Sequence, residues 1–115
     1  MRIRPLPKSW LIHSVLYKEK LNEKDDYGNL KHADPIEIEY VRYDPTTVFS
    51  RDSTQSKIVA EGVIFVDAVN SSPLPELFVE ESTIVFEGRE LTLKKIIPCY
   101  YPNENRIHHY ELEVI

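Results

Sequence analysis

The chain has 115 residues, 42% of them apolar and 29% charged, which suits one domain around one core and excludes wholesale disorder. Nineteen acidic residues against fourteen Lys and Arg leave a net charge of −5, which argues against a protein that grips nucleic acid over a broad surface. One cysteine, Cys99, makes no intrachain disulfide, so a disulfide-stapled secreted module is excluded as well.

Three Gly, eight Pro and many aromatic and β-branched residues favour strands joined by fixed turns. Met1-Arg2-Ile3-Arg4 starts like a signal peptide, but Pro5 and Pro7 break it and no apolar stretch follows. The longest purely apolar run, Val63-Ile64-Phe65-Val66, is far shorter than the ~20 residues of a membrane span. The expectation is a soluble protein, with no membrane partner, made in a reducing cytoplasm.

Residues 1–9 read as an extended N-terminal arm, with a frayed terminus as the simpler reading. From Trp10 to Lys18 the sequence alternates. Leu11, His13, Val15 and Tyr17 share one face, and Trp10, Ile12, Ser14 and Leu16 the other, so this strand is expected to be covered on both sides. Glu19 to Asp34 is polar, with a turn at Asp26-Tyr27-Gly28-Asn29. A short helix over Lys18–Lys24 is one reading, though its apolar stripe is thin.

Pro35 opens a second strand, Ile36 to Tyr43, in which Ile36, Ile38 and Tyr40 alternate with Glu37 and Glu39. Asp44-Pro45 is expected to end it. The next stretch is Asp44-Pro45-Thr46-Thr47-Val48-Phe49-Ser50, followed by Arg51-Asp52-Ser53-Thr54-Gln55-Ser56-Lys57. It holds six Ser or Thr in fourteen residues and reads as a long polar loop. An ordinary surface loop is the simpler account of it.

A third strand, Lys57 to Val66, sets Ile58, Ala60, Gly62, Ile64 and Val66 on one face. Asp67 to Glu81 is irregular. Ser82 to Glu87 is a fourth strand, and Glu87-Gly88 turns it into a fifth, Arg89 to Pro98. Ile96 is out of phase with Leu91 and Leu93, which predicts a bulge near Lys94-Lys95. After a turn at Pro102-Asn103-Glu104-Asn105, the last strand runs Ile107 to Ile115. The pattern is all-β: about six strands closed into a small barrel or packed as a tight sandwich, with one long loop between the second and third strands.

The chemistry-bearing residues form no recognisable motif. His108 and His109 are adjacent on a strand, so their side chains are expected on opposite faces and unable to share a metal. His13 and His32 have no partner at ligand spacing, so no metal site is expected. The expected arrangement is one buried, hydrogen-bonded histidine and several on the surface. Cys99 reads as a small buried hydrophobe. There is no phosphate-cradling loop and no nucleophile elbow. No catalytic residue and no cofactor are expected.

Five phrases taken together carry a resemblance: Leu11-Ile12-His13-Ser14 with Tyr17-Lys18-Glu19; Asp25-Asp26-Tyr27-Gly28; Val41-Arg42-Tyr43-Asp44-Pro45-Thr46-Thr47; Ile64-Phe65-Val66-Asp67-Ala68-Val69-Asn70-Ser71; and Ile107-His108-His109-Tyr110-Glu111-Leu112-Glu113-Val114. In this order the chain resembles minor capsid proteins of tailed phages and prophages of Gram-positive bacteria, which are similar to the head-closure, or stopper, proteins of long-tailed phages. The resemblance covers about Leu6 to the end.

It implies a structural virion protein: a β-barrel subunit that assembles with itself into a ring at the head–tail interface, after a period in the host cytoplasm. Its partners would be portal and adaptor ring proteins on the head side and a tail-completion or tail-terminator protein below. Packaged DNA would be only a channel neighbour. The Asp44–Lys57 loop would be the plug that blocks the channel, and Arg2-Ile3-Arg4-Pro5-Leu6-Pro7 an arm that orders on a neighbouring subunit. The alternatives are a tail-side joining protein and a small ligand- or oligonucleotide-binding barrel.

Overall fold

A computed structural model describes residues 3–24, 26–28, 30–49 and 58–115. Its strands are β1 (His13–Lys18), β2 (Lys20–Lys24), β3 (Leu30–His32), β4 (Ile36–Phe49), β5 (Ile58–Asp67), β6 (Thr83–Phe86), β7 (Arg89–Tyr100) and β8 (Ile107–Val114). Six of them close into an antiparallel barrel in the order β1-β4-β5-β8-β7-β6, with β6 pairing back onto β1. Closure removes the edge strands of an open sheet and leaves unpaired edge only where a strand outruns its neighbour. The other two strands, β2 and β3, form a separate two-stranded sheet.

The inward positions follow the two-residue period of each strand. Tyr17, Ile38, Ile64, Ile84, Leu93 and Leu112 are almost completely buried and fill the barrel with side chains. Burying each such side chain stabilises the fold by about 1.5–3 kcal/mol. Around Tyr17, Phe78 from the segment after β5 meets the tyrosine ring edge-on at 5.2 Å and Tyr110 at 5.3 Å. The buried Tyr17 hydroxyl accepts the Val79 N–H at 2.9 Å. At the start of β1, His13, Phe86 and Tyr43 form a second aromatic group, and His13 Nδ1 accepts the Tyr43 N–H at 3.1 Å. The expectation of one buried histidine among surface ones fails: His13, His108 and His109 are all partly buried and hydrogen-bonded, and only His32 is exposed.

Several expectations hold. The alternation in β5 buries Ala60, Gly62, Ile64 and Val66, whereas Ile58, expected on the same face, is exposed. Glu87 and Gly88, both at positive φ, turn β6 into β7. The register of β7 against β8 slips between Leu93 and Lys95, so the bulge lies where the phase change puts it.

Others fail for identifiable reasons. Only the inner face of β1 is covered: Ile12 is 64% exposed and Leu16 also faces outward. No helix forms over Lys18–Lys24, because those residues make β2 and turn through Gly28 (φ 82°) into β3. The alternation in β4 breaks at Tyr40, which takes a φ of 60° as the extra residue of a bulge. His13 pairs with Val41 and Ser14 with Glu39, so Tyr40 stays outside and Val41 turns in. Asp44-Pro45 does not end β4, which continues to Phe49. Beyond Val41 this strand has left β1 and pairs only with β5, so the missing N–H of Pro45 sits on a free edge.

Candidate functional site

Three features lie outside the packed barrel. The first is a ribbon. The β4 pairing with β1 ends at Val41, and the β5 pairing with β8 ends at Gly62. Beyond the Pro45–Gly62 pair, Thr46–Phe49 and Ile58–Glu61 therefore extend past their flanking strands, paired only with each other. Two register shifts, one after Pro45 and one at Val48/Phe49, add residues to opposite strands of this ribbon and increase its twist. Phe49 pairs with Ile58 at its end, and these large apolar side chains are 55% and 44% exposed.

The long polar loop expected over Asp44–Lys57 is thus shorter than that span. Its first six residues are strand: Asp44 accepts an ion pair from Arg42 at 3.1 Å, Pro45, Thr46 and Thr47 are exposed, and Val48 is partly buried. Ser50, Arg51, Asp52, Ser53, Thr54, Gln55, Ser56 and Lys57 lie outside the described residues.

The second feature is the arm. Arg2 lies outside the described residues, but Ile3, Arg4, Pro5, Leu6 and Pro7 run against the chain's own barrel. The Leu6 N–H donates to Asp67 Oδ1 at 2.9 Å, and Asn70 Nδ2 donates to the Leu6 carbonyl at 2.7 Å. His108 Nε2 lies 2.7 Å from the Arg4 carbonyl. Asp67 is the organiser. It is fully buried at the end of β5, and its Oδ2 accepts the N–H groups of Val69 and Asn70 at 2.9 and 2.7 Å. A carboxylate out of water must be hydrogen-bonded, and the turn and the arm supply the donors. The arm is therefore anchored within its own subunit, not frayed.

The third feature is a side-chain cluster that sequence spacing did not join. Cys99 on β7 pairs with His109 on β8, and Tyr100 with Ile107, so His108 is the extra residue of a bulge. A bulge sets neighbouring side chains toward the same side, which overturns the expectation that the two histidines diverge. Their Nδ1 atoms are 2.7 Å apart. His109 Nε2 is 3.3 Å from Glu111 Oε2, and the Cys99 thiol donates to the same oxygen at 3.2 Å. Cys99, His109 and Glu111 are all partly buried, with their ligating atoms within 4.8 Å of one another. Burial first, then the hydrogen bond to Glu111 and the charge of that carboxylate, push the Cys99 thiol from 9.0 to about 11. Cys99 is thus a polar participant and not the small hydrophobe expected.

A family model described as minor capsid protein matches residues 7–114. An uncharacterized protein, ORF5, of Lactococcus phage LL-H is 28% identical over 115 residues, covering 96% of this chain and 98% of its own length. An uncharacterized ORF5 protein of Lactococcus phage mv4 is likewise 28% identical over 107 residues, covering 90% of this chain and 95% of its own. No solved structure gives a match. The chain belongs to the minor capsid protein family and is a structural component of the phage particle.

Proposed function

We propose that the chain is a head-closure subunit, a ring-forming piece of the head–tail connector that seals the portal channel after DNA packaging and gives the tail its attachment surface. The observation that carries this reading is the β4–β5 ribbon. It leaves a closed barrel and ends in two exposed apolar side chains, and in sequence its two strands are joined by the Ser/Thr-rich residues 50–57. Rotation about a ring axis brings copies of such a ribbon together, so contacts that are weak singly add up. A ribbon paired only with itself can also swing without opening the barrel, as a gate must when DNA leaves.

The acidic balance supports the same reading, because DNA running through a channel should not adhere to its wall. Partners of the ring are further copies of this chain, a portal or adaptor ring above and a tail-completion or terminator protein below. The filled barrel interior counts against an internal small-molecule site.

Heads assembled without this protein test the reading. They should package DNA, then lose it, and fail to take tails. Heads that keep their DNA while failing to take tails would instead assign the chain to the tail side of the joint.

A further inference from the structure

We propose that Cys99, His109 and Glu111 form a zinc site on the barrel wall, with His108 as the positioning residue behind it. The donor set is one thiolate sulfur, one imidazole nitrogen and one carboxylate oxygen, the types that zinc takes. Bonds of about 2.0–2.3 Å in tetrahedral array place donor atoms roughly 3.3–3.8 Å apart. Cys99 Sγ and His109 Nε2 stand 3.2 and 3.3 Å from Glu111 Oε2, and all three donors lie within 4.8 Å of one another, so drawing them around one point admits the ion. The fourth position is left to water.

The hydrogen-bond chain behind His109 points the same way. A carbonyl only accepts, so at Arg4 the proton of neutral His108 is on Nε2. Its Nδ1 is then an acceptor, and the Nδ1 of His109 donates to it. Neutral His109 is left with the Nε2 lone pair facing the Glu111 carboxylate. Two lone pairs in contact need a cation between them, either a proton or a metal ion. A proton would need only His109 and Glu111; the convergence of Cys99 on the same oxygen adds the soft third donor that favours zinc. A ligating histidine whose other ring nitrogen is held by an outer partner is the usual construction of a metal site. When zinc binds, the Cys99 S–H bond breaks, a sulfur–zinc bond forms and the proton goes to solvent. The bound ion fixes the His109 tautomer, and through His108 it holds the arm at Arg4. None of this depends on where in the particle the chain sits.

Titration of the metal-free, full-length protein with Co²⁺ and then Zn²⁺ tests the site. One cobalt ion per chain should give thiolate-to-cobalt charge-transfer absorption, and zinc should displace it and slow amide exchange at Leu6. Cys99→Ser should abolish the charge-transfer band, and His109→Gln and Glu111→Gln should each weaken binding at least tenfold. His108→Ala should keep the band while lowering affinity by about 10–100-fold. Circular dichroism reports whether each variant is folded. Absence of cobalt–thiolate absorption in the folded wild-type chain would overturn the proposal and leave a proton between His109 and Glu111. Equal affinity in all four variants would overturn it too.

Discussion

The Tyr43 ring lies over the backbone of Gly62 on the neighbouring strand, so closely that a Cβ at position 62 would stand 2.5 Å from Tyr43 Cε2 and 2.6 Å from its hydroxyl. The same ring stacks on Phe86 at 4.6 Å, with 28° between the planes. Gly62 therefore makes room for an aromatic contact where the ribbon leaves the barrel. Gly62→Ala should destabilise the fold by about 1–3 kcal/mol, the range for overfilling a packed site. In a Tyr43→Leu background most of that loss should vanish. Denaturant unfolding of the four chains measures the coupling, and an equal loss in both backgrounds would contradict the contact.

Asp67 joins the arm to the turn after β5. Asp67→Ala leaves the N–H groups of Leu6, Val69 and Asn70 without their acceptor. A buried donor without an acceptor costs about 1–3 kcal/mol, and water offsets part of that at these partly buried groups. The expected outcome is a loss of roughly that size, with faster amide exchange at Leu6. Unchanged exchange at Leu6 would show that the arm is held without Asp67.

The sequence was most legible where one strand faces one environment. β5 could be read from Ala60, Gly62, Ile64 and Val66, and the β6–β7 turn from Glu87-Gly88, because both signals are local. The failures occur at bulges and edges, where the pairing decides. Tyr40 broke an alternation that looked continuous. Pro45 read as a strand end because its tolerance depends on β4 having already left β1. Leu16 read as covered because apolar character alone does not say which face meets solvent. The Cys99–His109–Glu111 cluster was illegible for the same reason: it needs the β7–β8 register and the bulge at His108, and neither can be read from spacing. The nearest signal was the His-His-x-Glu phrase itself.

The Cys99 thiol gives a pH test of the metal-free protein. Its pKa in the fold is about 11, above the ordinary 9.0. Between those values the unfolded chain has lost the proton that the folded chain still holds, so stability falls as pH rises through this window. Below it the thiol is protonated in both states and contributes no slope. Cys99→Ser should flatten the dependence, and alkylation of Cys99 near neutral pH should be slower than that of a free thiol. Rapid alkylation there would contradict a raised pKa.

The tip can be removed without touching the paired strands. Because Phe49 pairs with Ile58, replacing residues 50–57 by an Asn-Gly turn closes the ribbon directly. The melting temperature of the free subunit should hardly change, since loop-closure entropy varies slowly with length. Removal of Asp44–Phe49 as well takes away strand pairing and should destabilise the fold. In heads, the shortened tip should let packaged DNA leak before a tail attaches. Full retention would reject a plug role for the tip.

Cryo-electron microscopy of tail-less, DNA-filled heads bearing a tag after Ile115 addresses head closure most directly. The prediction is a single closed ring of this protein at the portal vertex, its β4–β5 ribbons turned toward the channel axis and meeting there. Copies spread over the head shell, or a ring present only on free tails, would contradict it.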